Sequence, residues 1–273
     1  MTHPSVSLIG GGNMGRAIAA GLIKDGWPLE RLRIIEKDAE QSARLQAELG
    51  IEVAAQLTRP SDVLILAVKP QDSHATVARL AARMSPGERP LLLSIAAGIT
   101  TLQLRDWTGG HCDVVRAMPN RAATLAESAT ALFAESGTGG AQRDLAERCM
   151  AAIGATVWVA NETDLDSVTA LSGSGPAYFL LLAEAMIDTA VELGLPRDVA
   201  ARLCRQTLRG TALLADADGD LAALRASVTS KGGTTAAALA SFSAGHFDQI
   251  VAAAMHAAAA RSRELAAAAT TTR

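Results

Sequence analysis

The chain has few aromatic residues, with three Trp, one Tyr and four Phe in 273 positions. So few rings exclude a stacking platform for bases or sugars. An excess of one charge is missing as well. Twenty-five Lys and Arg face 28 Asp and Glu, a formal net charge of −3, which leaves no electrostatic footprint for nucleic acid. Cys112, Cys149 and Cys204 are odd in number, far apart and without a C-x-x-C spacing, so neither a disulfide framework nor a zinc site is expected. His74, His111, His246 and His256 form no cluster of metal-ligand type, and no metal is expected. Long apolar runs are absent too. Glu184 interrupts residues 178–186 and Arg261 closes 251–260, short of the roughly 18 uninterrupted apolar residues of a membrane span. The first strand-like run begins at Val6 with no basic start, apolar core and cleavage site before it. A soluble, cytoplasmic protein without nucleic-acid or membrane partners is expected.

What is present is a globular composition, 49% hydrophobic and 19% charged, at a length suited to one large or two modest domains. Two textures divide it. Up to about residue 160, β-branched runs alternate with helical stretches. The runs 6–9, 33–35, 62–68, 91–95, 113–118, 129–134 and 156–159 read as strands, and 14–24, 39–49 and 73–82 as helices. Such alternation predicts right-handed crossovers and a mainly parallel sheet. After about residue 161 no strand signal survives, and 164–171, 176–193, 197–214, 221–228, 235–242 and 247–265 read as helices. Gly194 and Pro196 punctuate this half as a helix end and a helix start. The fold class is therefore α/β, an N-terminal Rossmann-type sheet over 1–160 followed by an all-α domain over 161–273. Several of these helices are apolar over more than one face. Alanine's helix propensity is one account; an interface with another copy of the chain is the other, and is favoured because large apolar surfaces seldom stay exposed. Residues 266–273 read as a fraying tail.

The first candidate site follows the first strand. Gly10, Gly12 and Gly15 fit G-x-G-x-x-G between a strand and a helix, with Gly11, Asn13 and Met14 between them. The first glycine allows the tight turn, the second lets backbone approach a pyrophosphate, and the third lets helix and strand pack closely. The helix start then offers unpaired N–H groups and its positive dipole end. Glu36 ends the second candidate strand, where an acidic residue commonly accepts from the adenosine ribose 2′-hydroxyl and repels a 2′-phosphate. Lys37 follows at once with a charge that would neutralise such a phosphate. On this pair NADH is expected to be a competent donor.

Two segments in the helical half exceed what helix formation needs. One is Ser172-Gly173-Ser174-Gly175-Pro176-Ala177, for which an N-cap with Pro in the first turn is the bland account. A nucleophilic serine is not expected, since the segment is not G-x-S-x-G and no triad partner is evident. The other is Val228-Thr229-Ser230-Lys231-Gly232-Gly233-Thr234-Thr235, where a Gly-Gly pair leads into a helix with a hydroxylated first turn. It is either an elaborate cap or a carboxylate site built from backbone donors.

With these segments the chain resembles pyrroline-5-carboxylate reductase. The likeness runs in order through IGGGNMG (9–15), AVKP (67–70), SIAAG (94–98), MPN (118–120), LSGSGPA (171–177) and VTSKGGTT (228–235). The resemblance implies reduction of 1-pyrroline-5-carboxylate to L-proline with NADPH or NADH, the last step of proline biosynthesis. It implies a dinucleotide site at Gly10 to Gly15, Ala67, Lys69, Pro70, Ala96, Ala97 and Asn120. It places the substrate carboxylate at Ser230, Gly233, Thr234 and Thr235, with Ser172, Gly173 and Ser174 shaping the pocket. It also implies dimers through intertwined helical domains, often assembled into decamers. The chain departs from the family at Arg121-Ala122, usually Thr-Pro, at Lys231, commonly Pro, and at 54–58, which lacks an Asn often used near the adenosine.

Reducing a C=N bond makes modest demands on a protein. An imine is basic enough to be activated by protonation, and orientation contributes up to about 7–11 kcal/mol. Thr235 is the candidate for bonding the ring nitrogen, with Ser174 second. A 3-hydroxy acid dehydrogenase would need a proton relay, usually a Lys on the first long helix of the second domain, and 176–193 contains none. A non-catalytic dinucleotide sensor would not need the Gly-Thr-Thr helix start.

Overall fold

The computed structural model describes residues 3–85 and 87–271. Its first unit is built on an eight-stranded sheet in the order β3-β2-β1-β4-β5-β6-β7-β8. The strands are β1 (Val6–Ile9), β2 (Leu32–Ile35), β3 (Glu52–Ala54), β4 (Val63–Leu66), β5 (Leu91–Ser94), β6 (Asp113–Met118), β7 (Ser128–Ala134) and β8 (Gly154–Trp158). All neighbouring pairs are parallel except β6 with β7. The expected mainly parallel sheet is therefore present, and each predicted strand matches one observed within two residues or so.

Period-two alternation assigns the strand side chains to two cores. On one face Val63, Ile65, Leu93 and Val115 pack with Ile18 and Leu22 of α1 (Asn13–Lys24), Leu45 of α2 (Ala39–Leu49) and Ala146 of α5 (Gly140–Ala151). On the other, Leu64, Leu66, Leu92 and Val114 pack with Val77 and Leu80 of α3 (Pro70–Ala81) and Leu104 of α4 (Thr101–Trp107). A strand covered on both sides reads as an unbroken apolar run, as β4 does. Cys112 and Cys149 are buried here, and burial pushes both thiols up to about 12, so neither is a nucleophile at neutral pH.

The remaining helices are α6 (Asp164–Val168), α7 (Gly175–Glu192), α8 (Arg197–Asp218), α9 (Leu221–Ser227), α10 (Thr234–Ala244) and α11 (Phe247–Thr271). The chain divides into two compact units, one running to Ser174 and resuming at Ala258, the other Gly175–Ala257. In the second unit only Gly175 and Ala200 are buried among the described residues, while Phe179, Leu181 and Ile250 are each over 60% exposed. A unit with so little interior has nothing of its own to offset its chain entropy.

Three expectations are corrected. β3 had no counterpart in the sequence reading. The Ser-Gly-Ser-Gly segment is not a break between helices, because Thr169–Gly173 forms a π-helical turn that joins α6 to α7. One result is that the stretch Asp164–Glu192 is long and apolar enough to cross a membrane by length and composition, its most apolar 18 residues having a mean hydropathy of 1.3 with 11% of them buried. Finally, residues 266–271 are not a fraying tail. They continue α11, and the backbone of Ala266 sits where a side chain at Gly98 would go. Thr272 and Arg273 lie outside the described residues.

Candidate active site

Parallel pairing brings the ends of β1, β2, β4, β5 and β6 to one edge of the sheet. Gly10, Glu36, Ala67, Ala96 and Asn120 each lie just beyond one of them. The order reverses between β1 and β4, which opens the crevice where such sheets bind ligands.

Gly10 takes φ +106°, and a Cβ there would stand 2.9 Å from the Ala67 carbonyl oxygen. A Cβ on Gly15 would overlap the Gly10 carbonyl oxygen. Over Gly12, by contrast, the space is open for 4 Å. Gly10 and Gly15 thus meet the steric demands of the turn and of helix packing, and Gly12 leaves open space at the helix start. Gly12 caps α1 without a side-chain bond, and the N–H groups of Asn13 and Met14 have no partner among the described residues. An uncapped, positive helix end facing open space is a fitting cradle for a pyrophosphate.

Glu36 is held in place rather than free. Its Oε2 accepts from the Gly11 N–H at 2.9 Å and its Oε1 from the Asp38 N–H at 3.0 Å. The carboxylate is thereby fixed beside the glycine turn. Lys37 is exposed, as is Lys69, which precedes Pro70 at the start of α3. Ala96 is buried and its N–H donates to Ser94 Oγ at 3.3 Å, while Ala97 is half-buried.

Asn120 is buried, and both polar atoms of its side chain act within the protein. Nδ2 donates to the Ser172 carbonyl at 3.0 Å, and Oδ1 accepts from the Ala122 N–H at 3.0 Å. Gly173 lies under Met118, whose Cε is 3.1 Å from where a Cβ would be. Ser172 Oγ donates back to the Val168 carbonyl at 3.1 Å. The Ser174 hydroxyl makes no hydrogen bond among the described residues, so it does not cap α7.

In the second unit the N-cap of α10 is Gly233, with no side-chain bond. The first helical bond runs from the Ala237 N–H to the Gly233 carbonyl at 3.2 Å. The hydroxyls and N–H groups of Thr234 and Thr235 have no partner among the described residues. The cap of α10 is thus the backbone of Gly233, and the hydroxyls of Thr234 and Thr235 take no part in it. A Cβ on Gly233 would overlap Ser230 Oγ, so only glycine admits that hydroxyl beside the helix start. Sequence reasoning missed Glu162 in the first unit. It accepts from the Thr101 N–H at 2.7 Å and pairs with Arg116 at 2.9 Å; no local pattern marks such a long-range anchor. The open concavities around Pro60, Ser61 and Pro90 lie at the opposite edge of the sheet.

Comparison with known proteins gives this arrangement a family. A family model described as pyrroline-5-carboxylate reductase dimerisation matches residues 162–265, and one described as NADP oxidoreductase, coenzyme F420-dependent, matches residues 5–98. Pyrroline-5-carboxylate reductase of Pseudomonas aeruginosa is 42% identical over 270 residues, 97% of this chain and 98% of that protein. The chain belongs to the pyrroline-5-carboxylate reductase family. Its family relative from Haemophilus influenzae is 39% identical over the same shares of both proteins. The solved pyrroline-5-carboxylate reductase of Coxiella burnetii superposes with a TM-score of 0.90 at 35% identity, covering 96% of this chain and 98% of that one. A Plasmodium falciparum pyrroline carboxylate reductase with NADP bound gives 0.82 at 26% identity, covering 97% and 99%. The reductase dimerisation model covers the helices whose apolar side chains stand exposed.

Proposed function

We propose that the chain reduces the C=N bond of 1-pyrroline-5-carboxylate, giving L-proline, with NADPH or NADH as donor, in the last step of proline biosynthesis. Identity of 42% along almost the whole chain carries this reading. Residues 1–160 hold the dinucleotide and 161–273 bind substrate and pair subunits. Gly10 to Gly15, Ala67, Lys69, Pro70, Ala96, Ala97 and Asn120 form the dinucleotide site, with Glu36 and Lys37 at its ribose end.

When bound, the nicotinamide supplies the hydride. The chain contributes orientation and one proton's path. The start of α10 receives the substrate carboxylate on free N–H groups and a positive dipole end, with Ser230 and Thr234 as further donors. Thr235 hydrogen-bonds the ring nitrogen and keeps its proton in place as C=N becomes CH–NH. Ser174 offers a second unspent hydroxyl, and Ser172 and Gly173 shape its surroundings. No residue here need act as a strong acid, because an imine nitrogen is already basic.

Oxidation of NADH or NADPH is expected with 1-pyrroline-5-carboxylate in preference to a six-membered cyclic imine, and reduction of NAD(P)+ by a 3-hydroxy acid is not expected. Turnover of the hydroxy acid alone would overturn the reaction. Dinucleotide binding without any turnover would support the sensor alternative. NADH is expected to support a kcat/KM within about tenfold of NADPH or better, because an acidic residue at the end of the second strand, as Glu36 is, commonly repels a 2′-phosphate. A hundredfold NADPH preference would refute that role.

Dimers, and decamers built from them, cover the apolar faces of α7, α8 and α11. A second copy, not lipid, accounts for the exposed side of Asp164–Glu192, and the protein is cytoplasmic. Light scattering is expected to give at least twice the 28.1 kDa chain mass; a stable single chain would refute it.

A further inference from the structure

Pro176, just after the π turn at Thr169–Gly173, leaves one carbonyl of that turn without its ordinary helical donor. The Ser172 carbonyl would accept from the N–H four residues on, and that residue is Pro176, which has none. Asn120 Nδ2 supplies the bond instead, at 3.0 Å, from the end of β6. Asn120 is itself held on three sides. Its Oδ1 accepts from the Ala122 N–H, and its own N–H donates to Ser128 Oγ at 3.0 Å, a hydroxyl that also meets Thr130 Oγ1 at 3.0 Å. The far end of the same segment is anchored by Glu162 on Thr101 and Arg116. The turn that leads to Ser174 is thus tied by Asn120 to the end of β6, and the start of the helix that precedes it by Glu162 to Thr101 of α4 and Arg116 of β6.

We infer that Asn120 is a positioning residue for imine reduction, acting through the Ser172 carbonyl to hold the Ser-Gly-Ser-Gly turn and the Ser174 hydroxyl in place. This rests on the function proposed above, and wild-type turnover of the imine tests that function separately; the ratios of variant to wild type test Asn120. Asn120→Asp keeps the oxygen that serves Ala122 and puts a second oxygen against the Ser172 carbonyl. At pH 8 its kcat/KM for 1-pyrroline-5-carboxylate is expected to fall about tenfold relative to wild type, since the half-buried Ser172 carbonyl loses its donor and faces a carboxylate. Because Asn120 also lies in the proposed dinucleotide site, the dinucleotide Kd is measured beside it, and kcat/KM for the imine is expected to fall further than that Kd rises. Lowering the pH restores the ratio, since a protonated carboxyl donates to the carbonyl again. A second test does not depend on that variant folding. Asn120→Ser lacks the reach to Ser172, and adding Pro176→Ala returns a helical N–H to that carbonyl, so the double variant is expected to recover most of the loss. A ratio near one at pH 8 would overturn the inference. So would a loss confined to the dinucleotide Kd, or a double variant no better than Asn120→Ser.

Discussion

Thr235→Ala lowers kcat/KM for 1-pyrroline-5-carboxylate by roughly tenfold to a thousandfold, the range for losing one positioned polar group. The fold does not suffer. Thr235 sits half-buried in the first turn of α10, its hydroxyl bonds nothing within the described chain, and the cap is the backbone of Gly233. Alanine is moreover the better helix former. Melting temperature and dinucleotide affinity are therefore expected to match wild type, and the whole loss to fall on the imine. Equal kcat/KM in the two proteins would remove Thr235 from the mechanism.

Gly15→Ala raises the dinucleotide Kd about a hundredfold. The added carbon overlaps the Gly10 carbonyl oxygen, a backbone atom that no rotamer change can move aside. Gly10 cannot retreat, since it is already wedged against Ala67 with φ +106°. The turn or α1 must then shift by about 1 Å, and a displacement of that size costs on the order of a hundredfold. Overpacking also destabilises, by about 1–3 kcal/mol, so the melting temperature falls as well. Gly12→Ala is the informative partner. Its added carbon stands in open space, so stability holds while the approach of a pyrophosphate is blocked. Titration of both variants with NADH and NADPH, beside thermal melts, separates the two mechanisms. An unchanged Kd for Gly15→Ala would show that the turn does not hold the dinucleotide.

The difference between these glycines was legible in G-x-G-x-x-G, because each position answers to a local steric demand. So were most strands, since β4 is an unbroken apolar run and β5 opens on three leucines, both covered on both faces. β3 escaped notice because three residues, the exposed Glu52 and the half-buried Val53 and Ala54, carry no periodic signal. The Ser-Gly-Ser-Gly segment looked like a break because glycine and proline usually punctuate helices. In the structure one extra residue in a π turn, steadied by Asn120 from another element, carries the helix through. Residues 266–271 looked like a tail because alanine repeats advertise nothing to pack on, yet Gly98, with no side chain, lets the backbone of Ala266 approach closely.

Local order was thus written in the chain: the alternation of strand and helix, the phosphate turn, the hydroxylated helix starts, and the order of segments that marks the family. Tertiary structure alone decided which of those hydroxyls are spent and which are free. It also fixed Glu36 on Gly11, tied Asn120 to Ser172, and left the helices of the second unit with an uncovered apolar surface. The physical reason is range. Periodicity and turn chemistry report forces between residues a few positions apart. Hydrogen bonds such as Asn120 to Ser172 join residues distant along the chain, and no local pattern distinguishes a donor that has a partner from one that does not.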